Sequence, residues 1–150
     1  MTRSQRLKPV SRIAENRERQ VATEMVEFKR LVDAQQAKLD ELFGYRADYA
    51  KRLHEAGRQG MDAARLNDYQ RILMRLGDAI AWQEKRLGSL KQDYEVIRRR
   101  WTDSHSRTAA LEKAMQRFHA EERRVVERHE QWEMDEQAQN GHHGPADPEA

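Results

Sequence analysis

From Leu66 to Trp132, apolar residues recur in alternating steps of three and four. They run Leu66, Tyr69, Leu73, Leu76, Ile80, then Leu87, Leu90, Tyr94, Ile97, Trp101, and later Leu111, Met115, Phe118, Val125, Trp132. The polar positions in the series are Gln83, Ser104, Thr108, Glu122 and His129, and no proline interrupts it. A 3.5-residue repeat held over this length keeps one seam turned toward a partner, which predicts a single long coiled-coil helix. A second seam precedes it: Val21, Met25, Phe28, Val32, Leu39, Leu42, Tyr49, Leu53 and Ala56, with Gln35 and Arg46 as its polar interruptions. Glu24, Glu27, Lys29 and Arg30 read as a solvated outer face, where helix-stabilising ion pairs contribute a few tenths of a kcal/mol each.

The two seams are separated by Glu55-Ala-Gly-Arg-Gln-Gly60. Its two glycines can adopt positive φ, end a helix and reverse the chain. Asp62 offers an N-cap to the second helix, although Arg65 denies it a capping box. The predicted fold is therefore all-α, two long helices in an antiparallel coiled-coil hairpin. Residues 1–8 read as a flexible basic arm and 9–138 as the hairpin, with helix one over about 9–56, a turn at 57–61 and helix two over about 62–138. Residues 139–150, polar and rich in helix breakers, read as a disordered tail. Pro9 suits a first helical turn, where its missing N–H has no intrahelical partner.

Aligning the seams places Leu53 near Leu66, Tyr49 near Tyr69 and Leu42 near Leu76. In that register Gln35 falls opposite Gln83, and a buried amide pair fixes register and orientation at some cost in stability. A helix starting at Pro9 finds its last partner near Ala110. Leu111, Met115, Phe118, Val125 and Trp132 then continue the seam with no cover from the hairpin, an overhanging apolar stripe that marks an interaction site. Burial of such side chains is worth ~1.5–3 kcal/mol each, an upper figure since unfolded chains already hide some area.

Composition narrows the partners and the chemistry. Charged residues make up 36% of the chain and aromatics 7%, as in a coiled coil where a narrow seam replaces a thick core. The net charge of +2 imposes no global basic field, so nucleic acid is not an expected partner. No apolar run approaches the ~18 residues that cross a bilayer, and no signal peptide opens the chain. With no cysteine, disulfides and thiolate-bound zinc are excluded. A soluble, cytoplasmic, elongated protein is expected.

Catalytic chemistry finds no footing. His129, Glu130 and Glu133 make half of a zincin motif without its second histidine. His142 and His143 are adjacent in the tail and form a weak metal site at best. Carboxylates are plentiful but unpaired in any cleft, and there is no glycine-rich phosphate loop. The expectation is no enzyme, no metal and no cofactor. Arg98-Arg99-Arg100 beside Trp101, and Arg3, Arg6, Lys8 and Arg12 in the arm, are the densest basic stretches. They read either as contacts for phosphate or acidic surfaces, or as solvated neighbours of seam residues. Near the middle, Phe43, Tyr45, Ile72 and Ala79 fall off the seam beside Leu42, Tyr49, Tyr69 and Leu76, which suggests a protein-binding patch. Gly44 and Gly77 lie roughly opposite each other there and either soften the helices or admit another backbone.

Leu42, Tyr45, Tyr49 and Leu53 before the turn, then Asp68-Tyr69-Gln70, Leu76, Ala79 and Ile80, resemble FliJ, a family of small coiled-coil components of the bacterial flagellar type III export apparatus. Trp101 with the following polar stretch and Leu111, and Met134-Asp135-Glu136, extend the resemblance through nearly the whole chain. It implies a non-enzymatic stalk, similar to the central stalk of rotary ATP synthases. The open end of the hairpin would bind the hexameric flagellar export ATPase and promote ring assembly, with Leu111, Met115, Phe118, Val125 and Trp132 at the grip. Leu42, Tyr45, Tyr49, Ile72, Leu76 and Ala79 would face the cytoplasmic region of the export-gate membrane protein. Escort of export chaperones, and a cytoplasmic location against the inner face of the cell membrane at the flagellar base, are implied as well. The family pattern can carry an amide where Lys38 stands, a histidine at Gln83 and bulkier aromatics at Leu66 and Ile72, so contacts of Lys38 and Gln83 do not follow from it. The alternatives are the stalk of a virulence-type secretion system, or a coiled-coil binder of nucleic acid or membrane surfaces.

Overall fold

A computed structural model describes residues 1–141. Two long helices pack against each other as an all-α hairpin: α1, Arg3–Gln59, and α2, Ala63–Gly141. The described residues contain no strand. The last nine residues, which hold His142, His143 and most of the predicted tail, lie outside the described part; Gln139, Asn140 and Gly141 are helical.

The reversal rests on local bonds. Gly60 adopts a φ of 89°, a left-handed conformation that a residue with a Cβ resists, and its N–H reaches the Gly57 carbonyl at 3.4 Å. Asp62 then caps α2, its Oδ1 accepting the Arg65 N–H at 2.9 Å. The connection is only residues 60–62, and Gly57 remains helical.

At its other end α1 opens at Arg3, six residues before the predicted start at Pro9, which sits inside the helix. The cause is a capping box: the Thr2 N–H donates to Gln5 Oε1 at 3.1 Å, while the Gln5 N–H reaches Thr2 Oγ1 at 3.3 Å. Arg6 N–H to Thr2 carbonyl, 3.1 Å, makes the first helical bond. Because α1 starts earlier, it covers more of α2 than a start at Pro9 allows.

The molecule divides into two compact units. The turn-proximal unit, Arg19–Asp103, has a core of Val32, Leu39, Ile80 and Leu87, against which Phe28, Leu42, Phe43, Leu90 and Tyr94 pack. Within this core Gln83 Nε2 donates to Gln35 Oε1 at 2.7 Å and to the Gln35 carbonyl at 3.0 Å, the juxtaposition that the seam alignment predicts. Arg100 and Glu24 pair at 3.4 Å on the surface. The terminal unit joins Met1–Glu18 to α2 from Ser104 onward. Here the fully buried side chains of α1 are small, Ser4, Ser11 and Ala14, with Leu7 half-buried between them, while Val10 and Ile13 face out. Glu18 meets His105 at 2.6 Å.

Removing one partner of the buried amide pair should be worse than removing both. Gln83→Ala is expected to destabilise by about 1–3 kcal/mol by stranding the Gln35 amide. Replacing both glutamines with leucine is expected to keep or raise the melting temperature while loosening register, as read by denaturation and by cross-linking across the seam.

Candidate protein-binding surfaces

In the turn-proximal unit the groove beside the seam is built by residues one turn apart. Tyr45 and Tyr49 come from α1, and Ile72, Arg75, Leu76 and Ala79 from α2; together they line an open depression of about 500 Å³. Five of the six residues assigned to the export gate thus share one groove. Leu42, the sixth, is half-buried and packs on the core. Tyr45 is 53% exposed. Arg52 stacks over the Tyr49 ring at 5.3 Å, which holds one wall of the groove in place. Phe43, predicted to lie off the seam, tucks against the core under Arg46 at 5.2 Å.

Sequence reasoning passed over Trp82. It follows Ala79 by three residues and Arg75 by seven, so it continues the groove's stripe along α2, and it stands 62% exposed with Arg86 over its ring at 5.6 Å. It lines a separate depression with Lys85, Arg86, Ser89 and Leu90, one that extends the exposed apolar stripe. The signal was present in the spacing of Ile72, Arg75, Ala79 and Trp82, a second three-four stripe hidden behind the stronger first one. Gly44 and Gly77 have open space around them: a Cβ built on either meets nothing within 4 Å. Among the described residues no other segment's backbone comes that close to them.

The terminal unit divides the proposed ATPase grip. Leu111, Met115 and Phe118 are half-buried under α1, which corrects the expectation that the seam lies uncovered from Leu111. Val125 and Trp132 are 61% and 62% exposed, and every residue from 123 to 141 is exposed. Val126 at 54% and Met134 at 69%, unnamed by the seam pattern, add to this apolar surface. Phe118, Val125 and Val126 form the apolar side of a groove of about 350 Å³ whose other wall is Thr2, Arg3, Glu121 and Glu122. Arg3 sits 5.7 Å from the Phe118 ring centre.

Glu122, a polar interruption of the seam, acts as a cap. Its Oε2 accepts the Ser4 hydroxyl at 2.7 Å and its Oε1 the Ser4 N–H at 3.2 Å. The carboxylate of one helix therefore satisfies the first turn of the other, at the positive end of its dipole. The Ser4 hydroxyl bond is the main cause of a carboxyl pKa held below its ordinary value, helped by the Ser4 N–H and by His119 at 3.7 Å. Desolvation, second in size to the Ser4 hydroxyl bond, acts the other way.

The remaining chemistry is bland. Arg98 pairs with Glu95 at 3.3 Å and Arg100 with Glu24, as solvated neighbours of a half-buried Trp101 do. His129 leans on Trp132 at 6.3 Å and on Glu133 at 3.4 Å. Among the described residues no three metal-ligating side chains converge.

The model of the flagellar FliJ protein family matches residues 3–146. The chain belongs to the FliJ family. It is thus a flagellar export-related protein, of a family that is not enzymatic. No helix among the described residues is long and apolar enough to cross a membrane. Comparison with curated proteins and with solved structures gives no match.

This geometry sets two expected outcomes. A depressed carboxyl pKa means the unfolded state binds the proton more readily, so the Glu122 contribution is present above the unfolded pKa and is lost as pH falls through the folded one. Protection factors of the amides in the first turns of α1, corrected for the intrinsic pH dependence of exchange, should therefore fall in acid, and Glu122→Gln should lower them at neutral pH and flatten that dependence. Gly44→Ala is expected to stabilise the chain by about 0.5–1 kcal/mol in thermal or denaturant unfolding, because the added methyl has room.

Proposed function

We propose that this FliJ-family chain is a non-enzymatic stalk of the flagellar export machinery that binds the export ATPase ring through its terminal unit and the export gate through the turn-proximal groove. The observation that carries this reading is the juxtaposition of Tyr45, Tyr49, Ile72, Leu76 and Ala79 in one open groove within a chain matched by the family along residues 3–146. An apolar surface of aromatic and aliphatic side chains, ringed by arginines, suits a protein partner whose own anchor fills the depression. Val125 and Trp132, exposed beyond the last turn that α1 covers, supply a separate apolar stripe for the ATPase subunits. Leu111, Met115 and Phe118 support that end from beneath. Chaperone escort and peripheral association with the inner face of the cell membrane at the flagellar base belong to the same proposal.

The test is pull-down and ATPase stimulation with the host's flagellar export ATPase. The full chain should bind and stimulate, and Val125→Ser with Trp132→Ala, both at exposed positions, should reduce both readouts at least tenfold while leaving helicity unchanged. Tyr45→Ala should spare ATPase stimulation and abolish capture of the gate's cytoplasmic region, with loss of motility in the cell. Absence of ATPase binding by the intact chain sinks the stalk assignment.

A further inference from the structure

Beyond the groove, the same flank of the turn-proximal unit continues as two edges of opposite charge. On α1, Tyr45, Lys38 and Leu31 repeat every seven residues, with Glu41, Ala34 and Glu27 on the stripe outside them. On α2, Ile72, Ala79 and Arg86 repeat in the same way, with Arg75, Trp82 and Ser89 outside them. Two contacts put these stripes on one flank. Tyr45 lines a groove with Ile72, Arg75 and Ala79, and Glu24, next in the Leu31 series, reaches Arg100, of the Arg86 series, at 3.4 Å. Between Glu27 and Glu41 the α1 stripes hold two acids and Lys38, whereas between Arg75 and Ser89 the α2 stripes hold two arginines and no acid. Among the described residues Glu27, Glu41, Arg75 and Arg86 make no ion pair.

A flank with one acidic and one basic edge is complementary to itself. Because Gln35 sits beside Gln83, Ala34 stands level with Glu84, Glu41 with Gly77 and Glu27 with Lys91. A two-fold axis parallel to the helices lays α1 of one copy over α2 of the other at equal height, and every contact occurs twice. Glu41 then meets Arg75, Glu27 comes within reach of Arg86, and the exposed Trp82 ring rests on the small side chain of Ala34. Lys38 comes level with Ile80, more than a turn from either arginine of the facing stripes. A partner surface of single charge would satisfy one edge and be repelled by the other. We propose that the chain pairs with a second copy through this flank, the two hairpins side by side and pointing the same way, in a four-helix contact centred on Trp82. The stripes run about 21 Å along the axis and their side chains reach half a turn farther at each end. Across two helices of about 10 Å each this buries roughly 500 Å² per copy, at the lower limit of a specific interface. The pairing is accordingly weak, with a dissociation constant of about 10–100 µM. It takes up Arg75 and Ala79, so a paired chain presents the Tyr45 groove incompletely, and it does not depend on what that groove binds.

The experiment is analytical ultracentrifugation of the full chain from about 1 to 300 µM, a range that brackets the expected dissociation constant. At about 50 mM salt the mass should rise from monomer to dimer across that range, and the rise should weaken at about 0.5 M salt. Trp82→Ala, at an exposed position, should raise the dissociation constant at least tenfold with helicity and melting temperature unchanged. Arg75→Glu and Glu41→Arg should each abolish pairing on their own, because like charges then meet at both symmetry-related contacts. An equimolar mixture of those two variants should pair again, since every contact between them joins opposite charges. Monomer at all concentrations in low salt overturns the proposal. So does a dimer unmoved by Trp82→Ala, a dimer lost only with Val125→Ser and Trp132→Ala, or a mixture that pairs no better than its components.

Discussion

Two helices share only one interface, so everything in this fold depends on the register in which their seams meet. The amide of Gln83, held at 2.7 Å by Gln35 among Val32, Leu39, Ile80 and Leu87, sets that register where the seam is most apolar. A slide by one helical turn would bury each amide against an aliphatic neighbour and leave it unsatisfied, a cost of about 1–3 kcal/mol apiece. Aliphatic layers alone tolerate such slides far better, because one leucine packs on another in several registers. The groove between Tyr45 on one helix and Ile72 on the other exists only while that alignment is kept.

Much of this was legible in the heptads. The seam positions, the reversal near Gly60, the Asp62 cap and the meeting of Gln35 with Gln83 all follow from spacing and from residue chemistry that acts over one or two turns. The start of α1 is harder to read, because Pro9 looks like an opening residue while Thr2 and Gln5 form the reciprocal cap that starts the helix. The motif is in view, but its weight against a proline depends on Glu122, more than a hundred residues away in the chain, which satisfies the Ser4 N–H. The extent of the uncovered seam is overestimated because α1 meets α2 farther along than the seam alignment expects, Glu18 at His105 and Ser4 at Glu122.

The candidate surfaces show the same division. Periodicity places Ile72, Leu76 and Ala79 on one side of α2, and the structure adds Arg75 between them and Trp82 beyond them. A single helical seam is visible in sequence because it repeats; a patch assembled across two helices becomes visible only once the seam alignment brings Tyr45 and Tyr49 beside Ile72, Leu76 and Ala79. Leu42 illustrates the limit, matching the family's pattern while its side chain packs on the core.

The small residues that α1 turns inward at the terminal end have a thermodynamic consequence. Ser4, Ser11 and Ala14 remove little apolar area from water, whereas Val32 and Leu39 remove much more. Opening of a folded protein proceeds by cooperative segments whose free energies track what each segment buries. With Leu7, Leu111, Met115 and Phe118 only half-buried there, the terminal segment is expected to open at a lower free energy than the segment holding Val32 and Leu39. A partner that engages the separated helices there would meet a chain already close to yielding, while the amide-locked half keeps its alignment.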